Sequence, residues 1–293
     1  MGIVYGFGAM LCRAKQAGVT FERTATIGRL SLYMLPEEIE RLARGLGIDA
    51  CDGQRIARSG FADDFIRDVL GAHSVTSIDI SGYQGASVIH DLNRPIDPAL
   101  HRSFDCVIDG GTLEHIFDVR QALENYMNLV EVGGNLFIDT TANNLFGHGF
   151  YQFSSELFCR VFDEANGFEI RDLLLAESPF VSSATSSRQR LFRVDDPSRS
   201  GGRVQLVNRH PVEIFVHARR IADRPLFQRL PVQSDYANGK WARRSDAEIA
   251  PRPLFSYPTV WQRLRRGWKQ SQRKSLRNRR HFLPIDLNEK KSS

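Results

Sequence analysis

Between Phe104 and Asp118 the chain reads Phe-Asp-Cys-Val-Ile-Asp-Gly-Gly-Thr-Leu-Glu-His-Ile-Phe-Asp, and no other stretch constrains the fold as much. Cys106, Val107 and Ile108 read as a buried strand that stops at an acid, Asp109, and two glycines, Gly110 and Gly111. An acid and pliable backbone at the carboxyl end of an apolar strand mark the rim where open α/β sheets take small ligands.

The rest of the chain supplies partners for such a strand. Arg23–Leu32 reads as a strand turning near Gly28, Val75–Ile80 and Ala86–His90 as two more, and Asn135–Thr140 as another after a Gly133-Gly134 turn. Strands near Phe168–Leu174 and Val212–Val216 follow. Helices are expected over 1–20, over Pro36–Leu46 with Pro36 in the first turn and Gly47 at the end, and over Phe61–Leu70, 118–132 and Ser154–Ala165. Strands alternating with helices predict a mainly parallel sheet covered on both faces. Residues 182–203, rich in Ser, Arg, Asp and Gly, read as a long loop, and the Pro-rich residues 222–260 show no clear period.

At 293 residues the chain can bury one substantial core. No apolar run approaches the roughly 20 residues that span a bilayer, and the unpaired Cys12, Cys51, Cys106 and Cys159 fit a reducing cytoplasm better than a zinc site or a disulfide framework. The formal charge of +5 is concentrated near the end: between Glu248 and Asp286 there is no acid. Trp261, Leu264 and Trp268 recur there at helical spacing among arginines and lysines. A basic helix with an aromatic face suits an anionic membrane surface, which would place the protein at the inner face of the membrane. A solvated tail is the plainer reading, and nucleic acid the weaker one.

The pattern Phe-Asp-x-Val-x-x-x-x-x-Leu-Glu-His, met at Phe104, Asp105, Val107, Leu113, Glu114 and His115, resembles the fourth-strand region of class I S-adenosylmethionine (SAM)-dependent methyltransferases. The resemblance covers about Val75–Ile170. Runs at Ile89–Asn93, Asp109–His115 and Gly147–Phe153 make it look closest to bacterial methyltransferase-like proteins from surface-polysaccharide gene clusters. It implies a Rossmann-like, doubly wound, seven-stranded sheet over 1–220, followed by a Pro-rich extension (221–260) and a basic tail (261–293).

It also implies roles. Asp79, ending the second strand of the family pattern, would accept hydrogen bonds from the ribose diol of SAM, a pairing that suits an ionised carboxylate. Asp91 and Leu92 would lie near the adenine, and Asp109, Gly110 and Gly111 near the sulfonium. The family's glycine-rich first loop is reduced here to Thr26-Ile27-Gly28-Arg29, with about forty-five residues before the next strand. Gly28 and Arg29 are therefore the candidates for the methionine end, Arg29 through its planar fork. His115 and His148 are candidate bases, since a near-neutral imidazole can remove a proton from an acceptor. Glu114 with His115 could instead help bind a divalent cation or pack the loop. In the segment after the fifth strand, Asn143, Asn144, Tyr151 and Gln152 are candidates to hold the acceptor, with an aromatic cluster docking the next helix as the alternative.

These features imply SAM-dependent methyl transfer to a hydroxyl or amine of a glycan or glycan precursor. The alternative is a non-catalytic protein of this fold, acting as a partner in membrane-associated glycan assembly. A nicotinamide-nucleotide enzyme is disfavoured by the missing Gly-x-Gly-x-x-Gly.

Overall fold

The computed structural model describes residues 2–180, 188–200, 203–237 and 260–286. Along the chain lie β1 (Gly2–Val4), α1 (Tyr5–Gln16), β2 (Arg23–Ile27), β3 (Ser31–Tyr33), α2 (Pro36–Gly45) and α3 (Gly53–Arg58). A π-helical turn at Phe65–Val69 leads to β4 (Ser74–Asp79) and β5 (Val88–Ile89). Then come β6 (Phe104–Gly110), α4 (Val119–Leu129), β7 (Val130–Asn143), α5 (Ser155–Val161), β8 (Phe168–Glu177), β9 (Arg190–Val194) and α6 (Pro197–Ser200). The last described elements are β10 (Val212–Arg220), α7 (Ser234–Ala237), α8 (Val260–Arg273) and β11 (Phe282–Ile285).

Nine strands form the main sheet in the order β11-β9-β8-β10-β7-β6-β2-β4-β5. β5, β4, β2, β6 and β7 pair in parallel, and β10 is inserted antiparallel between β7 and β8. Without the outer pair β9 and β11, this is the seven-stranded, doubly wound arrangement of the class I methyltransferase fold, with one reversed strand near its edge. The sheet's alternation sorts the core. Val107, Leu136, Ile138, Ile214 and Val216 face α4 and α5, while Cys106, Ile108, Phe137 and Phe215 face α1 and α2. β6 is buried along its whole length, with an apolar centre, Cys106–Ile108, between the acids Asp105 and Asp109.

Several expectations needed correction. The helix expected at the N-terminus is preceded by β1, which pairs in parallel with β3 outside the main sheet. The Gly133-Gly134 turn does not break the chain: β7 continues through it, with a register shift against β6 between Phe104 and Cys106. The expected loop at 182–203 contains β9, and β9 pairs with β11 from the basic tail. That tail is therefore anchored, with Leu276 and Phe282 buried in the α4–α5 core. Much of the Pro-rich stretch 222–260 lies outside the described residues.

Candidate functional site

Because β5, β4, β2, β6 and β7 are parallel, their carboxyl ends share one rim, and the reversed β10 brings its first residues to the same edge. Every singled-out side chain sits in or near the turns along this rim.

At the β4 end, Asp79 is half-buried. Its Oδ1 accepts from the Ser81 amide at 3.2 Å, and its other oxygen takes no hydrogen bond among the described residues. Ile80, Tyr83 and Ile89 surround it in sequence and register and are all exposed, Tyr83 at 91%. Gly28 follows β2 with φ +74°, a conformation few other residues adopt, and its amide donates to the Ile78 carbonyl at 2.7 Å. An acceptor carboxylate beside exposed apolar side chains is a chemistry that suits a nucleoside.

Arg29 is committed elsewhere. Its Nη1 donates to the Gln84 carbonyl at 2.7 Å, its Nε lies 3.4 Å from Asp63, and its guanidinium stacks 4.0 Å above the Phe61 ring. It braces the segment before β4 against the turn after it, and its fork does not stand open for a carboxylate. Asp91 likewise spends an oxygen on its own turn, accepting from both the backbone and side-chain nitrogens of Asn93. These donors hold its carboxyl below the usual range. Leu92 is a core residue packed with α4.

Asp109 departs furthest from the expected role. It is fully buried and accepts from the amides of Thr112 (2.7 Å) and Leu113 (3.1 Å) and from the Tyr126 hydroxyl (3.1 Å). It turns inward and shapes the glycine corner. Burial and the neighbouring Glu114 raise its pKa to about 7, against the pull of its donors. Gly110 is crowded from outside: a Cβ there would lie 2.7 Å from the Gly2 carbonyl oxygen. The chain's own β1 thus lies along the corner where the resemblance puts the sulfonium.

On the other side of that corner is a cavity of about 400 Å³ lined by Gly2, Gly110, Gly111, Glu114, Asp139 and Glu213, among others. Glu114 is 2% exposed, and its Oε2 accepts from the Thr140 hydroxyl at 2.7 Å. Burial raises the Glu213 carboxyl to about 7, and burial followed by the charges of Glu213, Glu114 and Asp109 raises Asp139 well above the normal carboxyl range. His148 reaches the cavity wall with its Nε2 3.7 Å from Glu114 Oε1, and the His115 ring lies 5.3 Å from the His148 ring. Burial lowers the pKa of His115, which favours the neutral, proton-accepting form.

The loop after β7 is organised for a different purpose than expected. Asn143 and Asn144 donate to the Asn208 side chain, and Asn144 also donates to the His210 carbonyl. Gln152 accepts from the Leu145 amide, and the Tyr151 hydroxyl donates to the Phe117 carbonyl. These polar groups tie the loop down, leaving His148 of the expected set on the cavity. Asp139, Glu213, Ser178 and Gln189 escaped sequence reading because the cavity gathers them from β7, from the antiparallel β10 and from beyond β8. The acid punctuating the apolar run Leu136–Asp139 was the one signal that could have exposed the first of them.

No protein-family model and no curated protein matches the chain significantly. Among solved structures, the N-methyltransferase NodS from Bradyrhizobium japonicum, in complex with S-adenosyl-L-homocysteine, is similar at 12% identity and TM-score 0.39, over 73% of this chain and 86% of its own. A SAM-dependent methyltransferase from Aquifex aeolicus is similar at 11% identity and TM-score 0.33, over 70% and 86%. The 1,6-didemethyltoxoflavin-N1-methyltransferase of Burkholderia thailandensis is similar at 12% identity and TM-score 0.35, over 72% and 76%. These likenesses are distant, and the fold assignment rests on the order and direction of the strands.

Proposed function

We propose that this chain is a SAM-dependent methyltransferase whose donor lies across the rim from β4 to β6, and whose acceptor enters the acidic cavity beyond. The reading is carried by the rim at Asp79, where a carboxylate with an uncommitted oxygen stands among exposed Ile80, Tyr83 and Ile89. Asp79 would receive the ribose hydroxyls, and the apolar side chains would cover the adenine. β4 and β6 are two strand spacings apart, roughly 9–10 Å. A donor laid across β2 therefore brings its reactive end to Gly110 and Gly111, which also line the cavity.

SAM supplies an electrophilic methyl group, which passes to the attacking oxygen or nitrogen as the carbon–sulfur bond breaks. The chain's residues would orient the acceptor and take its proton. Glu114 and His148 line the cavity within reach of one another, and neutral His115 stands behind them. Holding both reactants on one rigid rim supplies much of the acceleration. Thr140, Thr141, Ser178 and Gln189 interleave with the acids in the wall. This mixture of donors and acceptors suits a polyhydroxylated or amino-sugar acceptor, hence a glycan or glycan precursor.

The two ends of the donor meet different surroundings. The nucleoside end has its acid and apolar cover. The methionine end meets an occupied Arg29 and the backbone of Gly2, so β1 must shift for that arm to seat. Calorimetry with adenosine and S-adenosylhomocysteine tests this reading. Both should bind, and Asp79→Ala should weaken both about tenfold. An absence of heat from either ligand at millimolar concentration would contradict the proposal.

A second reading concerns where the protein works. α8 exposes Trp261, Leu264 and Trp268, at 80%, 59% and 65%, in a stretch free of acids. No helix among the described residues is long and apolar enough to cross a membrane. A basic helix with an uncovered aromatic face supports attachment to an anionic membrane surface. Through that attachment the protein would reach a lipid-linked glycan, as an enzyme or as a non-catalytic partner. Co-sedimentation with vesicles containing phosphatidylglycerol should be lost in the Trp261→Ala/Trp268→Ala double variant. Equal binding by the variant would exclude this role for α8.

A further inference from the structure

We propose that Glu114, His115 and His148 form a binding site for a divalent first-row transition-metal ion at the mouth of the acidic cavity. One potential ligand atom from each of the three residues lies within 4.8 Å of the other two. Donors around a tetrahedral ion at the usual 2.0–2.2 Å lie roughly 3.4 Å apart. Glu114 Oε1 and His148 Nε2, at 3.7 Å, are almost at that separation already, and a ring nitrogen of His115 lies within 4.8 Å of a ligand atom of each.

The state of Glu114 supports this assignment independently. Its carboxylate is 2% exposed, yet no lysine or arginine pairs with it among the described residues, and its Oε1 receives no hydrogen bond there. A buried carboxylate without a compensating cation is costly. A metal ion would remove that cost. The second oxygen is already fixed by the Thr140 hydroxyl, an outer contact that orients a metal-binding carboxylate. The backbone is fixed as well: the Phe150 amide donates to the Glu114 carbonyl at 2.8 Å, and Gly149 packs against the same carbonyl. This joins the loop that carries His148 to the loop that carries Glu114 and His115.

Two imidazoles and one carboxylate select zinc, cobalt, iron or manganese over calcium and magnesium, which favour sets made entirely of oxygen. Three protein ligands leave at least one coordination position open, facing the cavity lined by Glu114 and His148. An acceptor oxygen or a water molecule would complete the shell, and with the ion bound His115 and His148 would serve as ligands and not as proton acceptors. The site does not depend on the identity of the methyl donor, so its test is separate from nucleoside binding.

The test uses tag-free, chelator-stripped full-length protein titrated with Zn2+ by calorimetry and with Co2+ by visible absorption. One equivalent should bind, the Co2+ complex should show a d–d band, and Mg2+ and Ca2+ should give no heat. Glu114→Gln and His148→Ala should each weaken Zn2+ binding at least tenfold and reduce the Co2+ band. Thr140→Val should weaken it about tenfold while keeping all three ligands. Circular dichroism identifies any variant that fails to fold, and His115→Ala then serves as the replacement. The absence of a Co2+ band, or undiminished Zn2+ binding in the folded ligand variants, would overturn the assignment.

Discussion

The inward-facing Asp109 gives a stability prediction whose sign depends on pH. With a pKa near 7 in the folded chain and an ordinary value of 3.8 when unfolded, this carboxyl binds protons more tightly in the native state. Its contribution is therefore greatest in acid and is lost as pH rises towards 7. Linkage puts the penalty from its ionisation at about 1.7 kcal/mol at pH 5 and about 4 kcal/mol at pH 8. Asp109→Asn removes that dependence. It also turns an amide NH2 towards a site furnished with three donors, from Thr112, Leu113 and Tyr126, at a cost of about 1–3 kcal/mol. In urea unfolding at pH 5, 6, 7 and 8, the wild-type chain should have its largest advantage over the variant at pH 5. That advantage should shrink by about 2–3 kcal/mol by pH 8. An advantage that grows with pH would refute the reasoning, because it would mean that the three donors outweigh burial and keep the native carboxylate ionised. Nucleoside binding by the folded variant should persist, since Asp109 does not face the ligand.

Other consequences follow from single contacts. Gly110→Ala places a Cβ against the Gly2 backbone and should cost about 1–3 kcal/mol by thermal unfolding, with faster proteolysis near the N-terminus. Asn208→Ala removes the acceptor shared by Asn143 and Asn144, and also a donor to Glu177. It should speed limited proteolysis within 143–152 while leaving adenosine affinity within twofold. Tyr126→Phe deletes one of the donors to Asp109 and should cost about 1 kcal/mol in urea unfolding at pH 8.

The sequence exposed the parallel half of the sheet because an apolar residue meets a punctuating acid or glycine in each longer strand: Ile27 before Gly28, Ile78 before Asp79, Ile108 before Asp109 and Ile138 before Asp139. In Phe104–Gly110 the apolar centre Cys106–Ile108, closed by Asp109 and Gly110, marks a buried strand. β9 and β11 were hidden for the opposite reason: Arg190–Val194 and Phe282–Ile285 are short, charged or Pro-containing, and become strands through tertiary pairing, β9 between β8 and β11 and β11 on β9 at the edge. At the site, residue type and position were legible, but the direction of the side chain was not. Asp79 and Asp109 both end strands, yet one stands at the rim and the other is enclosed by Thr112, Leu113 and Tyr126. The amides of Asn143 and Asn144 look like ligand groups until their partner, more than sixty residues away, is seen. Such pairings depend on tertiary contacts that no local pattern encodes.

The most direct test is a crystal of the full chain soaked with S-adenosylhomocysteine. We expect density for adenosine with its ribose hydroxyls on Asp79 and its base against Ile80 and Tyr83, together with Gly2–Val4 displaced from Gly110. A soaked crystal that binds nothing at this rim, with Gly2 still packed on Gly110, would contradict the account.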